Sequence, residues 1–470
     1  MRSRHGVAAV AAVLLSCAAL AAVAAPRHAA TPGAEHPLDA EDRRPRAETV
    51  VAVDPHDPRR VAVVAIQFAR AYAEATVSKG YENDDHVWVS ADGGTSYRAV
   101  GGLPPQRPAT PASNDPWLAW DPHGPLYASY TSFSAPLATS NTPEDGLYVA
   151  RSDDGGRHWK RLAHVEGFDC SGPDRSEIVV DPRRGTVFVA WTHYIEDASC
   201  SMTPDISKTV LRWARSTDGG RTFSKPVDVT RDNTGTAIAP AVLPDGTLAV
   251  AYLEQATNDV ENATCHGFRM PLVVARYSPA GRLLGKSVAI QDLCDSYAGV
   301  TPNGAAFLPM LYPAIVADPA TGRLVVAVTY QDQVRQGVMT ASSGDGGRTW
   351  TQALVSGLPG ANGDMPALAV GPRGRAALAW LEVDAGGLYR PMLSASTDGG
   401  RTWGAATSLA TVPSVGNTHP QSPFDGYGKG HYLGVGVGSD GVAHVVWPDL
   451  RPDGTGTQDV DLWTRDVALP

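Results

Sequence analysis

Cysteine, lysine and the short motifs that announce an enzyme are all scarce in this 470-residue chain. Only five cysteines occur, and no two stand in a C-x-x-C pair, so a thiolate zinc site is not expected. No HExxH, GxSxG or phosphate-binding loop is present, which sets aside the enzyme classes those motifs mark. Six lysines stand against thirty-three arginines, charged residues are 19% and the net charge is −10. A broad nucleic-acid surface needs clustered cations, so that partner is excluded. Beyond Val23 no stretch is apolar enough to span a membrane.

What is present begins with Arg2, Arg4 and an apolar run from Gly6 to Val23, ending in Ala22-Val23-Ala24. This pattern predicts a cleaved signal peptide over 1–24 and a secreted protein. Leu14-Leu15-Ser16-Cys17 offers lipidation at Cys17 as the alternative, against which stands the apolar run continuing past it. Residues 25–46 carry no periodicity and read as a flexible leader into a single domain, 47–470. The four cysteines that remain, Cys170, Cys200, Cys265 and Cys294, are an even set in an exported chain and read as two disulfides.

Glycine (48) and proline (37) are plentiful, as in a fold of many short strands and turns. One octapeptide recurs: SADGGTSY at 90–97, SDDGGRHW at 152–159, STDGGRTF at 216–223, SGDGGRTW at 343–350 and STDGGRTW at 396–403. Its aspartates are Asp92, Asp154, Asp218, Asp345 and Asp398, and a decayed copy lies at Tyr277–Arg282. A second pattern, apolar strand, Pro- or Gly-containing turn, apolar strand, occurs seven times: at 50–65, 118–130, 178–191, 240–252, 314–330, 368–380 and 433–447. The first six copies are each followed by a third strand and an octapeptide or its remnant. Regular short strands repeating at roughly sixty residues predict an all-β propeller of four-stranded blades. The aspartates recur in five of the repeats at the same turn. They are therefore spread around a ring, where Ser and Asp lock a Gly-Gly hairpin and the last aromatic pins it down.

The octapeptides resemble the Asp-box, or BNR, repeat of the sialidase superfamily, S-x-D-x-G-x-T-W, over nearly the whole mature chain. The resemblance implies a β-propeller. Sialidases have six blades, which is kept as the alternative; the seven strand pairs counted here favour seven. The seventh blade lacks an octapeptide and is expected to be closed by a strand from the other terminus, within His36–Pro45. Gly434, Gly436 and Gly438 alternate in its inner strand and read as close packing near the axis.

In this topology the tight turns share one face and the long irregular segments the other, where binding is expected. All four mature cysteines fall on the loop-rich face, and the pairing expected is Cys170–Cys200 and Cys265–Cys294. The mouth of the channel on that face collects Asp115, Asp174, Arg175, His193, Arg335, Asp364, Arg390, Tyr432 and Arg451 as ligand-binding candidates. Glu254, Glu382, Asp332 and Asp449 are candidate catalytic carboxylates.

The resemblance also implies a chemistry of three arginines, a Tyr–Glu pair and an acidic Asp. The Y/F-R-I-P motif that carries the first arginine is absent from the first strand, Glu48–Val53. LYRP at Leu388–Pro391 stands in the wrong blade. Three readings therefore stand: a secreted propeller binding a polar ligand, a glycan or an extracellular or cell-surface protein; a two-carboxylate glycoside hydrolase; and a sialidase with rearranged arginines. No cofactor and no metal are expected, although a structural cation such as calcium is compatible with the fold; a monomer is expected.

Overall fold

The structure, a computed structural model, describes residues 30–42, 44–68, 83–105, 112–133, 142, 144–168, 171–195, 209–231, 235–254, 268–295, 312–331, 336–355, 362–384, 387–414, 432–449, 451 and 460–470. They form seven four-stranded antiparallel sheets, so the propeller has seven blades and not six. In blades 1 to 6 the strands follow chain order, from inner strand a to outer strand d. The inner strands are Arg46–Val53, Ser113–Trp120, Gly172–Val180, Gly235–Val242, Ala314–Ala317, Asn362–Val370 and Gly434–Val437.

Burial follows radial position. Strand b of blade 1, VAVVAIQF at Val61–Phe68, is buried at all eight residues. Both of its faces meet a neighbouring blade, which is why it reads as a continuous apolar run instead of an alternation. The outer strand of the same blade, Arg98–Gly102, is largely exposed.

Blade 7 takes strands a, b and c from Gly434–Val437, Val442–Asp449 and Asp461–Ala468, and its outer strand from Thr31–Pro37. Thr31 pairs with Ala468 and Pro37 with Trp463. The closing strand therefore starts earlier than expected, sharing only His36 and Pro37 with His36–Pro45; it lies inside the segment expected as leader, and Arg46 already belongs to blade 1. TPGAEHP has no strand pattern of its own. Prolines are tolerated because this is an outer edge, and tertiary contacts impose the conformation: Arg465 Nε donates to Gly33 O at 2.9 Å and Glu35 meets Arg451.

The octapeptides close the c–d hairpins with one repeated geometry. Ser152 Oγ donates to Asp154 Oδ1 at 2.9 Å and accepts Gly156 N–H at 2.8 Å, while Asp154 Oδ1 accepts His158 N–H at 2.9 Å. Ser396 and Asp398 repeat it at 2.8, 2.9 and 2.9 Å. Both glycines of each pair have positive φ, for example 77° and 89° at Gly155 and Gly156. The terminal aromatic reaches the preceding blade: Trp350 Nε1 donates to Ser287 Oγ at 3.0 Å and Trp403 Nε1 to Thr340 Oγ1 at 3.1 Å. At the closure a Cβ on Gly434 would sit 2.8 Å from Val51 Cγ2 and 2.9 Å from Val51 N, so blade 7 approaches blade 1 too closely for any side chain there.

Candidate functional site at the axis

The a–b turns provide a ruler. In every blade the N–H of one turn residue donates across the hairpin at 2.8–3.0 Å: Asp54, Asp121, Asp181, Leu243, Asp318, Gly371 and Gly438. Six residues before each lies an equivalent position at the mouth end of strand a: Glu48, Asp115, Arg175, Ala237, Tyr312, Met365 and Tyr432. In five blades this residue has positive φ (60°, 55°, 43°, 56° and 53° for Glu48, Asp115, Arg175, Ala237 and Met365), and the a–b register skips there. The bulge re-aims its side chain, at a cost of roughly 1–3 kcal/mol per non-glycine residue. The backbone device is common to these blades. The chemistry is not: carboxylates and a guanidinium come from blades 1 to 3, apolar residues from blades 4 and 6, tyrosines from 5 and 7.

Three carboxyls meet on the charged side. Asp115 hydrogen-bonds both Asp174 and Glu48. Burial, then the charges of Asp174 and Glu48, push Asp115 well above the usual carboxylate range. Tyr194 hydrogen-bonds Asp174 and Tyr432 lies beside Glu48; burial raises both phenols, so they stay protonated at neutral pH. The cluster holds fewer than three charges and titrates as one unit.

Arg175 lies beside it, 5% exposed, with its guanidinium 4.1 Å from the ring centre of Tyr312, 5.8 Å from that of Tyr432 and 5.9 Å from that of Trp117. Its Nη2 is 2.9 Å from Glu177 Oε1 and its Nη1 donates to Ile238 O at 3.3 Å. Its Nε has no hydrogen-bond partner among the described residues. Desolvation opposes the Arg175 charge, but Glu177 and the phenols outweigh it and keep the group cationic. Burial pushes Glu177 up to about 7 in spite of Arg175.

Of the residues expected at the mouth, the structure brings together Asp115, Asp174, Arg175 and Tyr432. Others are held in separate networks. Asp449 accepts Trp447 Nε1 at 2.8 Å and Arg451 Nη2 at 2.7 Å, contacts Ser414 Oγ, and shares Arg451 with Glu35, with Arg451 3.7 Å from the Trp463 ring centre. Glu382 is buried and accepts Trp380 Nε1 at 3.1 Å. His193 Nδ1 lies 3.2 Å from Glu166, which also takes Arg212 at 2.6 Å and the indole of Trp191. An indole on a carboxylate is thus a recurrent fastening on strand b. Asp364 is buried and accepts Thr329 Oγ1 at 3.1 Å; Arg390 pairs with Asp384 at 3.1 Å; Glu254 is 4.0 Å from Lys286. Asp332, Arg335, Cys17, Cys170, Cys200, Cys265 and the Cys294 side chain lie outside the described residues.

Sequence reasoning missed Glu48, Tyr312, Tyr194 and Glu177. The offset of six from the turn residue finds the first two; nothing comparable marks the others. Among the described residues no group of three or more His, Cys, Asp or Glu is arranged to hold a metal ion, and no helix is long and apolar enough to cross a membrane.

No protein-family model and no curated protein matches the chain. Solved structures do. An α-L-arabinanase of Penicillium chrysogenum, complexed with arabinobiose, is 14% identical over 78% of this chain and 98% of its own, with a TM-score of 0.50. A protein of unknown function from Dyadobacter fermentans is 13% identical over 94% and 100%, also at 0.50. A Hadza microbial sialidase is 16% identical over 87% and 76%, at 0.47. At these identities the likeness to the first two bears on the fold alone; the seven four-stranded sheets make this chain a β-propeller.

Proposed function

We propose that the chain is an exported, glycan-acting protein of the Asp-box kind, with a glycoside-hydrolysing site at the axial mouth. One observation carries the reading: a Glu48–Asp115–Asp174 cluster in which Asp115 hydrogen-bonds both neighbours, and in which burial and their charges push its carboxyl well above the usual carboxylate range. A carboxylic acid kept neutral at pH 7 is the proton donor that glycosidic cleavage needs. Asp115 touches both neighbours, so the separated pair that flanks a scissile bond is Glu48 and Asp174, with the proton shared through Asp115. Tyr432 and Tyr194 orient those two carboxylates. The arabinobiose in the arabinanase complex is consistent with a sugar as the ligand class. Export through residues 1–24 and the two disulfides belong to the same proposal.

A static glycan- or protein-binding mouth is the second reading. The direct contacts of Asp115 favour it, since they leave no room for a water between Asp115 and either neighbour. Purified protein assayed on fluorogenic glycosides, with an α-arabinoside and an α-sialoside included, separates the two. Turnover abolished by Asp115→Asn or Asp174→Asn supports hydrolysis. Sugar binding without turnover, lost in the same variants, supports the static mouth.

A further inference from the structure

The opposite side of the ring holds a second feature. From Arg175 towards the turn face the inner strands enclose a cavity of about 390 Å³, which reaches Pro122, Pro182 and Pro319 beside the a–b turns. Most of its lining side chains are apolar, aliphatic ones such as Ile178 and Ala241 beside the rings of Trp117, Trp120, Tyr312 and Tyr432, although a substantial part of its surface is polar. The apolar side chains along it suit an apolar guest. The guest would be shaped by the channel: ring position and turn residue are six residues apart, roughly 20 Å at about 3.3 Å per extended residue.

Polar chemistry enters this wall mainly at the ring end. Arg175 and Glu177 both line the cavity, and Arg175 keeps one nitrogen without a partner among the described residues. We propose that the axial cavity is a binding site for a small apolar carboxylate, such as a medium-chain fatty acid, with its tail along the channel and its carboxylate on Arg175. The cavity adjoins the carboxyl cluster and shares Arg175 and Tyr432 with it, but the proposal does not require that the cluster hydrolyse a sugar.

Glu177 competes with such a ligand for the guanidinium. The other titratable groups facing the pair are Glu48, Asp115, Asp174, Tyr194, Tyr312 and Tyr432. The phenols stay neutral and Glu177 is the carboxylate in contact with the guanidinium, so the Arg175–Glu177 pair sets the pH response. Below about pH 7 Glu177 takes up a proton and releases Arg175 to the ligand.

The test is calorimetric titration of the whole protein with decanoate, decanol and decyltrimethylammonium at pH 6 and pH 8. Decanoate is expected to bind best, about tenfold or more tighter than decanol, a difference of about 1.4 kcal/mol, and more tightly at pH 6 than at pH 8. Glu177→Gln is expected to remove that pH difference, and Ala241→Phe, which fills the channel, to abolish binding. Equal affinity for decanol overturns the assignment of the anion to Arg175. Absence of binding by all three overturns the site, whatever the glycoside assays give.

Discussion

The turn face and the axial ring are each built once per blade, but they vary in opposite ways. At the turn face the residues are kept and the function is local. Ser, Asp and two glycines repeat with the same distances in blades as far apart as 2 and 6, and each set holds only its own hairpin. At the ring the backbone position is kept while the residue changes. Five blades share the positive-φ bulge, yet three supply charge and two supply Ala or Met. A feature repeated identically in five blades around the ring cannot aim at one point. A feature whose geometry repeats while its chemistry does not can assemble one site from several blades.

That contrast can be broken experimentally. The largest effect is expected from the ring carboxyls: if the mouth is hydrolytic, Asp115→Asn lowers turnover by about 10²–10⁴-fold and leaves the unfolding midpoint unchanged or higher, because a buried acidic cluster is relieved. A parallel loss of both would make the cluster structural. Next comes Arg175→Met, which strands Glu177 and is expected to cost about 3–5 kcal/mol in denaturant unfolding. Adding Glu177→Gln should recover most of it; no recovery would show that Arg175 acts through its aromatic neighbours instead.

Stability should also depend on pH with a definite sign. The folded state holds the Glu177 proton up to about pH 7, whereas the unfolded chain releases it near 4.5. Over that window the folded state binds more protons, so stability falls as pH rises, by on the order of 3 kcal/mol at most. Glu177→Gln should flatten this part of the profile. The turn aspartates act in the reverse sense: hydrogen bonds from His158 and Ser152 outweigh the burial that would raise Asp154 and bring it down to about 2, so its contribution is present above about pH 4 and lost in strong acid. The smallest effects are expected at the turns. Ser152→Ala and Ser396→Ala should each cost about 1–2 kcal/mol, the price of an unsatisfied Gly N–H, and cost it equally in both blades. Unequal costs would mean that the hairpins are not interchangeable.

The same contrast explains what was legible in the sequence. The blade count and the turn face were readable because Ser-x-Asp-x-Gly is spelled out five times and the apolar strand pair seven times. Asp115, Arg175 and Tyr432 were reachable as polar residues at strand starts. Glu48 was not: it stands in an apolar run, and its role depends on a bulge that re-aims the strand. Tyr194 and Glu177 meet Asp174 and Arg175 inside blade 3, around a bulge that no spacing encodes. Glu382 and Asp449 show the converse, since an acidic residue at the end of strand b reads as exposed chemistry until its indole partner two residues earlier is seen. The closing strand was foreseen as an event and misplaced in position, because TPGAEHP owes its conformation to Asp461–Ala468 and not to its own residues.

The pairing of Thr31–Pro37 with Asp461–Ala468 gives the torus a seam. Six blades are each made of contiguous chain and can form as soon as their residues are available, whereas the seventh waits for segments from almost the two ends of the sequence to meet. Until then the innermost strands of blades 1 and 7 lack each other, and the ring positions Glu48 and Tyr432, which face one another across that seam, are held apart. Closure of the seam therefore adds Tyr432 to carboxyls that blades 1 to 3 already supply, so the last join of the ring completes the site without creating it.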